Sequence, residues 1–402
     1  MDLETFEWLL TDDGQRLLAQ AAHTYADHEG DPVAAAASLR AAAVSTANGG
    51  PSAPERSAAA LTQVRLRVRA VPKLGEDALR MYFTRDGLEQ ATRTRVADHR
   101  AARLVAAEVG TVIDLGCGIG GDLVAFARAG LTSAGVDADP VRVAVAAANL
   151  AALGLPGAVQ VADATTVDVS GFGAAFADPS RRTGRGRVFD AEDWTPPWPF
   201  VAGLLRGRSV VKVAPGIPHS LVPDGVEAEW VSDHGEVKEA ALWSANLATC
   251  RRRATVIGTG GLATLTEEDD PYDGAPRPLR GVGDFLYEPD GAVIRAGLVT
   301  AVAAGVQGGL LDAHIAYVTS DMGFRSPFAR AFRIVEELPY REKQLRAALR
   351  ARRIGALTIK KRGVQISPET LRQRLALSGD ASATLVLTRR AGTGVALLVE
   401  PL

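Results

Sequence analysis

The chain has 402 residues, 47% of them hydrophobic, and a formal net charge of -2 at pH 7. This length predicts two to four domains, and the balanced charge identifies no partner, so any affinity for nucleic acid must come from a local patch. Cys117 and Cys250 are the only cysteines, which is too few for an iron–sulfur cluster or a cysteine-built zinc site and fits a reducing compartment.

The start of the chain predicts a cytoplasmic protein. It reads Met1-Asp2-Leu3-Glu4, without the basic and then apolar order of a signal peptide. No stretch approaches about 18 uninterrupted apolar residues, the length that a membrane helix needs. We therefore expect cytoplasmic localisation and no membrane span.

Residues 1–80 have helical periodicity and no strand signal. Apolar residues at helical spacing begin with Phe6 and Leu9 and continue into an alanine-rich run at 33–43. A glycine-, proline- and serine-rich stretch at 49–54 predicts a loop within this region. The segment is expected to form a small helical domain.

From about residue 107 to 250, short β-branched runs alternate with Ala/Leu-rich helical stretches. This rhythm is typical of a parallel sheet with helices on both faces. Two further runs, Glu227–Val231 and Glu239–Ser244, lie close enough around Asp233-His234-Gly235 to pair as an antiparallel hairpin. The predicted parallel strands are Val112–Leu115, Ser133–Val136, Ala158–Val161, Ala174–Ala177 and Ser209–Val213.

The last third of the chain is expected to form one or two small α+β units. A polar, turn-rich stretch at 266–274 predicts an interdomain linker before them. No internal repeat is present. The predicted strands beyond the linker are His314–Val318, Ala356–Ile359, Ala383–Leu387 and Gly394–Val399.

The run Val112–Gly121 is a buried strand that ends in a glycine-rich turn and opens a helix. Glycines at 116, 118 and 121 allow a tight turn, close approach of a ligand to the backbone, and close packing of the helix on its strand. The motif predicts a nucleotide-cofactor loop, whose amides after Leu115 would face the ligand. A nicotinamide site or a purely structural turn remains the alternative.

Aspartates recur at the ends of successive predicted strands. They are Asp114, Asp137, Asp163 and Asp178, and ligands of open α/β sheets gather at this edge. The first can receive an ammonium group, the second both ribose hydroxyls, and the third an adenine amine, although a solvated turn aspartate is the alternative for Asp163. With the terminal hairpin, this series favours S-adenosylmethionine and a class I methyltransferase sheet.

The predicted catalytic site follows the fourth strand, at Asp178-Pro179. Methyl transfer mainly requires alignment of an acceptor lone pair, and a carboxylate with a proline-fixed carbonyl can accept both N–H bonds of an amine. Enzymes that methylate planar nitrogens use Asp/Asn-Pro-Pro and an aromatic residue, whereas this chain has Ser180 and Arg181. Arg181 can stack on a base or bind phosphate, and Arg182 can bind substrate. The alternative is a strand end followed by a solvated arginine loop.

Other residues that could belong to the predicted catalytic site give weaker evidence of function. Trp194 and Trp198 can supply a stacking surface, or they pack over the sheet edge. Lys212 and the Glu236/Lys238/Glu239 set can face the pocket, but such residues are more often sheet-edge charges. Neither cysteine is near Asp178, which excludes methylation at pyrimidine C5, and the histidines lack metal-ligand spacing. We expect no metal.

A basic tail lies between residues 341 and 363, where Glu342 is the single acid. Its residues at three- and four-residue steps would share one helix face, and a basic strand end follows. Such a surface suits phosphate contacts, with an ordinary solvated face as the alternative. The predicted substrate-binding residues of this tail are Arg346, Arg350, Arg353, Lys360 and Lys361.

The chain combines four features: the strings Asp-Leu-Gly-Cys-Gly-Ile-Gly-Gly at 114–121, Asp-Pro-Ser-Arg-Arg at 178–182 and Leu-Glu-Gln-Ala-Thr at 88–92, and the basic tail. In this combination it resembles bacterial class I methyltransferases with a C-terminal THUMP-like domain, often preceded by a ferredoxin-like unit. The resemblance covers most of the chain, and the Asp-Pro-Ser-Arg-Arg string is its most specific part. It implies a catalytic position at Asp178 and, because THUMP domains bind RNA, an RNA substrate such as tRNA or rRNA. It also implies cofactor contacts at Asp114, Gly116, Gly118, Asp137 and Asp163, to which we add Gly120 as a predicted cofactor-binding residue.

The predicted fold class is α/β, with a Rossmann-like class I methyltransferase sheet, an N-terminal helical domain and C-terminal ferredoxin-like and THUMP-like α+β units. We expect an S-adenosylmethionine-dependent enzyme that methylates a base nitrogen of RNA, with Asp178, Pro179 and Arg181 as catalytic residues. A protein or small-molecule methyltransferase and a non-catalytic, cofactor-sensing RNA-binding protein remain alternatives. The segment at 82–85 is a candidate to close over the cofactor or touch the substrate. The expected domains are 1–80, 81–255, 276–325 and 326–402.

Overall fold

The structure is a computed structural model that describes residues 1–42, 51–179, 182–183, 186–187 and 196–402, with the backbone alone at 40–42, 182–183 and 186–187. Contacts within the chain define two compact units. The first contains Met1–Val213 and Leu242–Leu247, and the second contains Ala214–Ala241 and Ala248–Leu402. The second unit therefore combines the end of the predicted central sheet with the C-terminal region.

The predicted N-terminal helices are confirmed. Their shared core includes Phe6 and Leu9, and the ring of Tyr82 meets Phe6 edge-on at 5.7 Å. Side-chain caps start the first two helices, because the carboxylate of Asp2 and the hydroxyl of Thr11 accept backbone N–H groups that a helix cannot pair internally. The helices are α1 (Leu3–Leu10), α2 (Asp12–Asp27), α3 (Pro32–Ala42), α4 (Ala53–Leu74), α5 (Arg85–Gln90) and α6 (Thr94–Ala106).

Residues 49 and 50 of the predicted loop at 49–54 lie outside the described residues, and α4 already begins at Ala53. Its last residues are described: Ser52 is the N-cap of α4, and its side chain and that of Glu55 form a capping box. Pro54 lies in the first turn of α4, where proline costs no hydrogen bond.

The parallel sheet of the first unit matches its prediction closely. Its strands are β1 (Thr111–Leu115), β2 (Thr132–Asp137), β3 (Ala158–Val161), β4 (Ala174–Ala177) and β7 (Ser209–Val213), in the order β3-β2-β1-β4-β7, with parallel pairing throughout. The chain runs between them through α7 (Gly121–Arg128), α8 (Pro140–Leu153) and α9 (Trp198–Leu204). Two short strands, β5 (Arg182–Thr183) and β6 (Gly186–Arg187), pair with each other.

This strand order reverses direction at β1, since β2 lies on one side of it and β4 on the other. Such a reversal opens a crevice outside the carboxyl ends of the strands, where ligands of open α/β sheets bind. At the far edge of this unit the amide of Ser244 donates to the carbonyl of Ser209 at 3.0 Å. Ser244 directly follows a strand that ends at Trp243, and this strand end extends the sheet beside β7.

The predicted terminal hairpin is present as β8 (Glu227–Asp233) and β9 (Glu236–Trp243). His234 and Gly235 join the two strands with φ values of 51° and 80°, the paired positive values that a two-residue type I′ hairpin turn requires. In the second unit β8 is followed by β10 (Arg252–Gly258), which is parallel to it, and by the antiparallel β11 (Gly261–Thr266). The sequence analysis missed both of these last strands.

The stretch at 266–274 is integrated into the second unit and does not separate two compact units. Glu267 accepts the backbone N–H groups of Arg251 and Arg252 at 2.5 and 2.8 Å. Asp270 is buried, and its carboxylate accepts the hydroxyl of Thr300 at 2.5 Å. Polar residues that predicted a solvated linker therefore serve as internal hydrogen-bond acceptors.

Residues 276–402, all of which the structure describes, contribute a seven-stranded sheet in the order β13-β14-β12-β15-β18-β17-β16. The two predicted units at 276–325 and 326–402 thus share one sheet. Its strands are β12 (Phe285–Pro289), β13 (Gly309–Asp312), β14 (Ile315–Ser320), β15 (Ala329–Leu338), β16 (Ile354–Lys361), β17 (Ala381–Arg390) and β18 (Thr393–Pro401). The helices of this region are α10 (Gly291–Ala296), α11 (Val299–Gly305), α12 (Glu342–Ala351) and α13 (Pro368–Leu375).

Candidate active site

A cavity of about 340 Å³ lies at the carboxyl ends of the parallel strands in the first unit. Its walls come from the glycine-rich loop, the ends of β2 and β4, the residues after β3, and the segment around α5. The structure brings most of the predicted cofactor and catalytic residues to this one place. Those that line the cavity are Asp114, Gly116, Gly118, Asp137, Asp163 and Asp178.

The loop after β1 is tied to β2 by its own backbone. The amides of Gly116 and Cys117 donate to the carbonyl of Val136 at 2.8 and 2.9 Å, and the amide of Gly118 donates to the Asp137 carboxylate at 3.0 Å. These amides were expected to face the ligand. They instead fix the shape of the loop, while its open side faces the cavity.

Two glycines of the loop have different surroundings. Gly118 has a φ of 56°, and a methyl group added to it would meet nothing within 4 Å. Gly120 has a φ of 83° and lies against α8, where an added methyl group would be 3.1 Å from the Ala146 side chain. Gly120 is not among the residues that line the cavity. Its role is to let α7 pack closely on α8.

This difference predicts that alanine substitution will mainly affect cofactor binding at Gly118 and mainly affect stability at Gly120. Gly118→Ala should weaken cofactor binding by about tenfold, because its methyl group enters the cavity, and should cost about 1 kcal/mol of folding free energy for the left-handed backbone. Gly120→Ala should cost about 2 kcal/mol because strain and crowding against Ala146 add. Calorimetric titration with S-adenosylmethionine and thermal unfolding of both variants measure these effects. Unchanged binding by Gly118→Ala would place the ligand elsewhere.

Asp114 is a buried carboxylate at the floor of the cavity, with 2% of its surface exposed. Its Oδ1 atom has no hydrogen-bond partner among the described residues, which is costly for a buried oxygen. Burial raises the pKa of the Asp114 carboxyl well above its usual value, and the nearby Asp122 and Asp178 raise it further. A buried acceptor without a hydrogen-bond partner would be stabilised by a cationic or hydrogen-donating ligand group.

Asp137 and Asp163 are held by neighbouring backbone groups. The two carboxylate oxygens of Asp137 accept the amides of Gly118 and Asp139 at 3.0 and 2.9 Å. Asp163 accepts the amide and hydroxyl of Thr165, which lowers the pKa of its carboxyl. Both side chains therefore present acceptor oxygens with fixed orientations at the cavity wall.

Asp178 follows β4 and forms an ion pair that the sequence did not indicate. The ammonium of Lys212, on β7, donates to its Oδ2 atom at 2.5 Å. Lys212 also donates to the hydroxyl of Thr92 at 3.1 Å. The sequence analysis regarded Lys212 as more typical of a sheet-edge charge, but β7 is an inner strand between β4 and β9.

The remaining residues around Asp178 have mixed outcomes. Pro179 is buried directly after Asp178. Arg181 and Trp194 are among the residues that the structure leaves undescribed, as is the side chain of Arg182. Trp198 begins α9 and is absent from the cavity lining, to which Pro196 and Pro197 contribute instead.

One wall of the cavity comes from the segment before the sheet. Gly87, Gln90, Ala91 and Thr92 line it. The segment at 82–85, a candidate to close over the cofactor or touch the substrate, is not among the described residues that line the cavity. It is anchored to α8, where Asn149 accepts the amide of Tyr82 at 2.6 Å and donates to the carbonyls of Tyr82 and Ile119.

The predicted basic surface differs from its expected form. Arg353 lies beyond the end of α12 with a φ of 56°, so it does not share the helix face, and it pairs with Asp380 at 2.5 Å. Arg346 and Arg350 donate to the carbonyls of Arg374 and Ala376 at the end of α13. These cations stabilise the end of a neighbouring helix.

The strand end that follows has one paired and one exposed lysine. Lys360 pairs with Glu288 at 2.7 Å. Lys361 is exposed, as is Lys343 on α12, and neither forms a salt bridge in the part of the chain that the structure describes. The acids that neutralise the tail come from distant positions, which a local count of charges cannot reveal.

No described helix is long and apolar enough to cross a membrane. No cluster of histidine, cysteine, aspartate or glutamate in the described ranges could hold a metal ion. Burial raises the pKa of the Cys117 thiol, so this cavity cysteine stays protonated and is a poor nucleophile.

Comparison with known proteins identifies the family. The chain is 40% identical over 338 residues to an uncharacterised S-adenosylmethionine-dependent methyltransferase of Mycobacterium tuberculosis, which covers 81% of this chain and 90% of the relative, and the same match is found in two strains. The chain belongs to the S-adenosylmethionine-dependent methyltransferases.

Other matches describe the regions of this methyltransferase. A crystal structure described as a methyltransferase from Porphyromonas gingivalis has the same fold, with a TM-score of 0.74 and 23% identity over 96% of this chain and 98% of that one. Residues 329–401 match the THUMP domain-like family, and residues 2–70 match a domain of unknown function (DUF8688). The predicted fold class, the enzyme class and the cofactor are therefore confirmed.

The cavity of the methyltransferase fits its cofactor. S-adenosylmethionine carries an ammonium group, a ribose diol and an adenine amine, and the cavity wall presents ionised or buried carboxylates for such groups. The unpartnered Oδ1 of Asp114 and the open space beside Gly118 are both explained by a cationic ligand that lies on the loop. The signal that could have identified Lys212 is its place on a predicted inner strand, between Val211 and Val213.

Proposed function

We propose that this methyltransferase acts on a base nitrogen of RNA, with tRNA or rRNA as its substrate. The observation that carries the proposal is the position of Asp178 at the end of β4, directly before Pro179 and on the same cavity as the carboxylates that fit the cofactor. A carboxylate and a backbone carbonyl at this edge can accept the N–H groups of a planar amine and orient its lone pair.

We assign the cofactor contacts to three carboxylates. Asp114 would receive the ammonium group, Asp137 the ribose hydroxyls, and Asp163 the adenine amine. When bound, S-adenosylmethionine would supply a sulfonium methyl group, whose bond to sulfur breaks as the acceptor nitrogen bonds to its carbon and the neutral thioether leaves. The protein's own contribution is to hold the acceptor in line, chiefly through Asp178 and the carbonyl of Pro179.

The charge around Asp178 favours a neutral acceptor. The Lys212 ammonium is 2.5 Å from the Asp178 carboxylate, so this acid is already paired with a cation. A protonated alkylamine would add a second positive charge beside Lys212, which costs free energy in a partly buried site. The amino group of a nucleobase is neutral at pH 7 and avoids this cost. The ion pair therefore supports a base nitrogen over a protein lysine.

RNA as the partner rests on the THUMP domain-like match at 329–401 and on exposed cations of that region. Arg181 and Arg182 would contact the base or a phosphate next to the catalytic position. In the tail, Lys361 and the nearby Lys343 are the exposed lysines, while Arg346, Arg350, Arg353 and Lys360 hold internal contacts that RNA would have to share.

The test is methyl transfer from tritium-labelled S-adenosylmethionine into total RNA, total protein and small-molecule extract from a strain that lacks the gene. The proposal expects label in RNA alone, in a nucleoside that digestion and chromatography identify as methylated on nitrogen. Label in protein or in the small-molecule fraction would support another acceptor class. Cofactor binding without label in any fraction would support a cofactor-sensing role.

Exposed and internally engaged cations of the tail should respond differently to substitution. Lys361→Ala should weaken RNA binding and reduce the slope of log affinity against log salt by about 1, because one phosphate contact is lost. Arg346→Ala should mainly lower the unfolding temperature, because it removes a contact to the end of α13. Fluorescence binding titrations at several salt concentrations and thermal unfolding separate the two. An unchanged salt slope in Lys361→Ala would exclude this residue from the RNA surface.

A further inference from the structure

A chain of polar contacts runs beneath the cavity from a buried arginine to the predicted catalytic acid. Arg100 pairs with Asp122, and the hydroxyl of Thr92 donates to the other oxygen of Asp122 at 2.8 Å. Lys212 then donates to Thr92 at 3.1 Å and to Asp178 at 2.5 Å. All of these hydrogen bonds can form at the same time, because each donor hydrogen points toward a carboxylate or toward the Thr92 oxygen.

The direction of the hydrogen bonds at Thr92 follows from the number of hydrogen atoms that each group can donate. A threonine hydroxyl has one proton, and Thr92 gives it to Asp122, so only its lone pairs face Lys212. Arg100, which is 1% exposed, pairs with the other oxygen of Asp122 and holds this side chain in place. The hydroxyl of Thr92 therefore has a fixed orientation, and it holds the ammonium of Lys212 beside Asp178.

Burial makes this arrangement rigid. The Lys212 side chain is 15% exposed and that of Asp178 is 34% exposed, so the pair sits at the boundary between protein and cavity. Oδ2 of Asp178 is used by Lys212, which leaves Oδ1 available to accept a substrate N–H. A carboxylate that was free to rotate would present either oxygen over a range of angles, and misplacement of about 1 Å can cost about 10²-fold in rate.

We infer that Lys212, held in place by Thr92, is a positioning residue that fixes the Asp178 carboxylate for the methyl acceptor. This inference rests on the proposed role of Asp178. It also gives a function to the segment Leu88–Thr92, whose last residue contributes both to the cavity wall and to the contact chain. Lys212 acts through Asp178 and does not itself touch the reacting atoms.

The test compares Lys212→Met, Lys212→Arg, Asp178→Ala and the double variant Asp178→Ala/Lys212→Met. With total RNA from the deletion strain as acceptor, Lys212→Met should lower kcat by about 10²-fold, with the KM for RNA and the Kd for S-adenosylmethionine within about threefold of wild type. Lys212→Arg should recover at least about a tenth of the activity, since arginine can still pair with the acid. The double variant should be no slower than Asp178→Ala alone.

A second pair of variants examines Thr92. Thr92→Val removes the hydroxyl at nearly constant volume and should lower kcat by about tenfold, whereas Thr92→Ser keeps the hydroxyl and should be several times faster than Thr92→Val. Lys238→Met is the matched control, because Lys238 also pairs with a carboxylate on a strand, that of Glu236, but does not line the cavity. Its kcat should equal that of wild type.

Three results would overturn the inference. The first is a wild-type kcat in Lys212→Met, and the second is a double variant whose loss equals the product of the two single losses. The third is a Lys212→Met variant with a lower unfolding temperature and a loss of activity that only matches the unfolded fraction. If wild type labels protein or small molecules instead of RNA, the proposed function fails, and the same variants measured on that acceptor still test the role of Lys212.

Discussion

Replacing Asp178 with alanine is expected to reduce methyl transfer by about 10³-fold while leaving the Kd for S-adenosylmethionine within about threefold of wild type. The carboxylate lies on the cavity but is held by Lys212 from the protein side, so its loss removes the acceptor contact and no hydrogen bond of the glycine-rich loop. Tritium transfer at saturating cofactor and calorimetric titration of the cofactor give the two quantities.

The control for this substitution is Asp168→Ala. Asp168 is an exposed aspartate whose carboxylate accepts the amide of Ser170 at 2.9 Å, and it does not line the cavity. It should transfer methyl groups at the wild-type rate. Full activity in Asp178→Ala would remove the assignment of the catalytic position, and equal losses of activity and cofactor affinity would turn Asp178 into a cofactor-binding residue.

Asp114→Asn should have two opposite effects, weaker cofactor binding and a more stable protein without cofactor. The substitution removes the negative charge that would receive the ammonium group, and we expect the Kd to rise about 10²-fold. The unpartnered, buried carboxylate costs folding free energy, so its neutral isostere should raise the unfolding temperature of the cofactor-free protein by several degrees.

The contribution of Asp114 to the stability of the cofactor-free protein should depend on pH, in a direction that follows from its pKa. The pKa of the Asp114 carboxyl is raised in the folded protein, so the folded state binds its proton more tightly than the unfolded state does. Stability contributed by this group is therefore present below the usual value of 3.8 and is lost as pH rises from there through the raised value. Asp114→Asn should lack this loss, which thermal unfolding between about pH 4 and 8 would show against Asp168→Asn.

In wild type, S-adenosylmethionine should bind more tightly as pH rises, because the ligand cation needs the ionised form of Asp114. The slope should be absent in Asp114→Asn. If the variant keeps both the affinity and its pH dependence, Asp114 does not contact the ammonium group, and another acid of the cavity would have to do so.

The sequence predicted the sheet of the first unit better than any other part. Its inner strands β1, β4 and β7 are short apolar runs that are almost entirely buried, and a glycine or an aspartate follows or closes β1, β2 and β4. The strands β3, β4 and β7 have the predicted bounds, and glycines at 157 and 173 directly precede β3 and β4. The acids after them converge because parallel strands end at the same edge.

The C-terminal region was predicted less well, for a physical reason. Strand β15 has the sequence Ala329–Leu338, with arginines and glutamates on the exposed positions, and it reads like the charged tail that follows. Strand β10 begins within a run of three arginines at 251–253, and β11 begins at Gly261 after a glycine-rich turn. In antiparallel sheets the pairing partners decide which residues become strands, and this information is spread over distant segments.

The candidate site shows the same division between local and distant information. The glycines and strand-end acids could be located from local patterns, while the partner of Asp178 could not. Lys212 is 34 residues from Asp178 in the sequence, and Thr92 is 120 residues from Lys212. Only the order of strands in the sheet and the anchored segment before α6 bring these side chains together.

The helices before the sheet help to form the candidate cofactor cavity, since the segment at 87–92 contributes a wall and Asn149 ties Tyr82 to the loop residue Ile119. Ligand binding and local unfolding of this segment therefore share one thermodynamic cycle. S-adenosylmethionine at about 100 times its Kd would raise the opening free energy of any element needed for binding by about 2.7 kcal/mol. Amide hydrogen exchange in α5 should consequently slow by about 10²-fold, so that this short helix reports the occupancy of the cofactor cavity even when no acceptor is available.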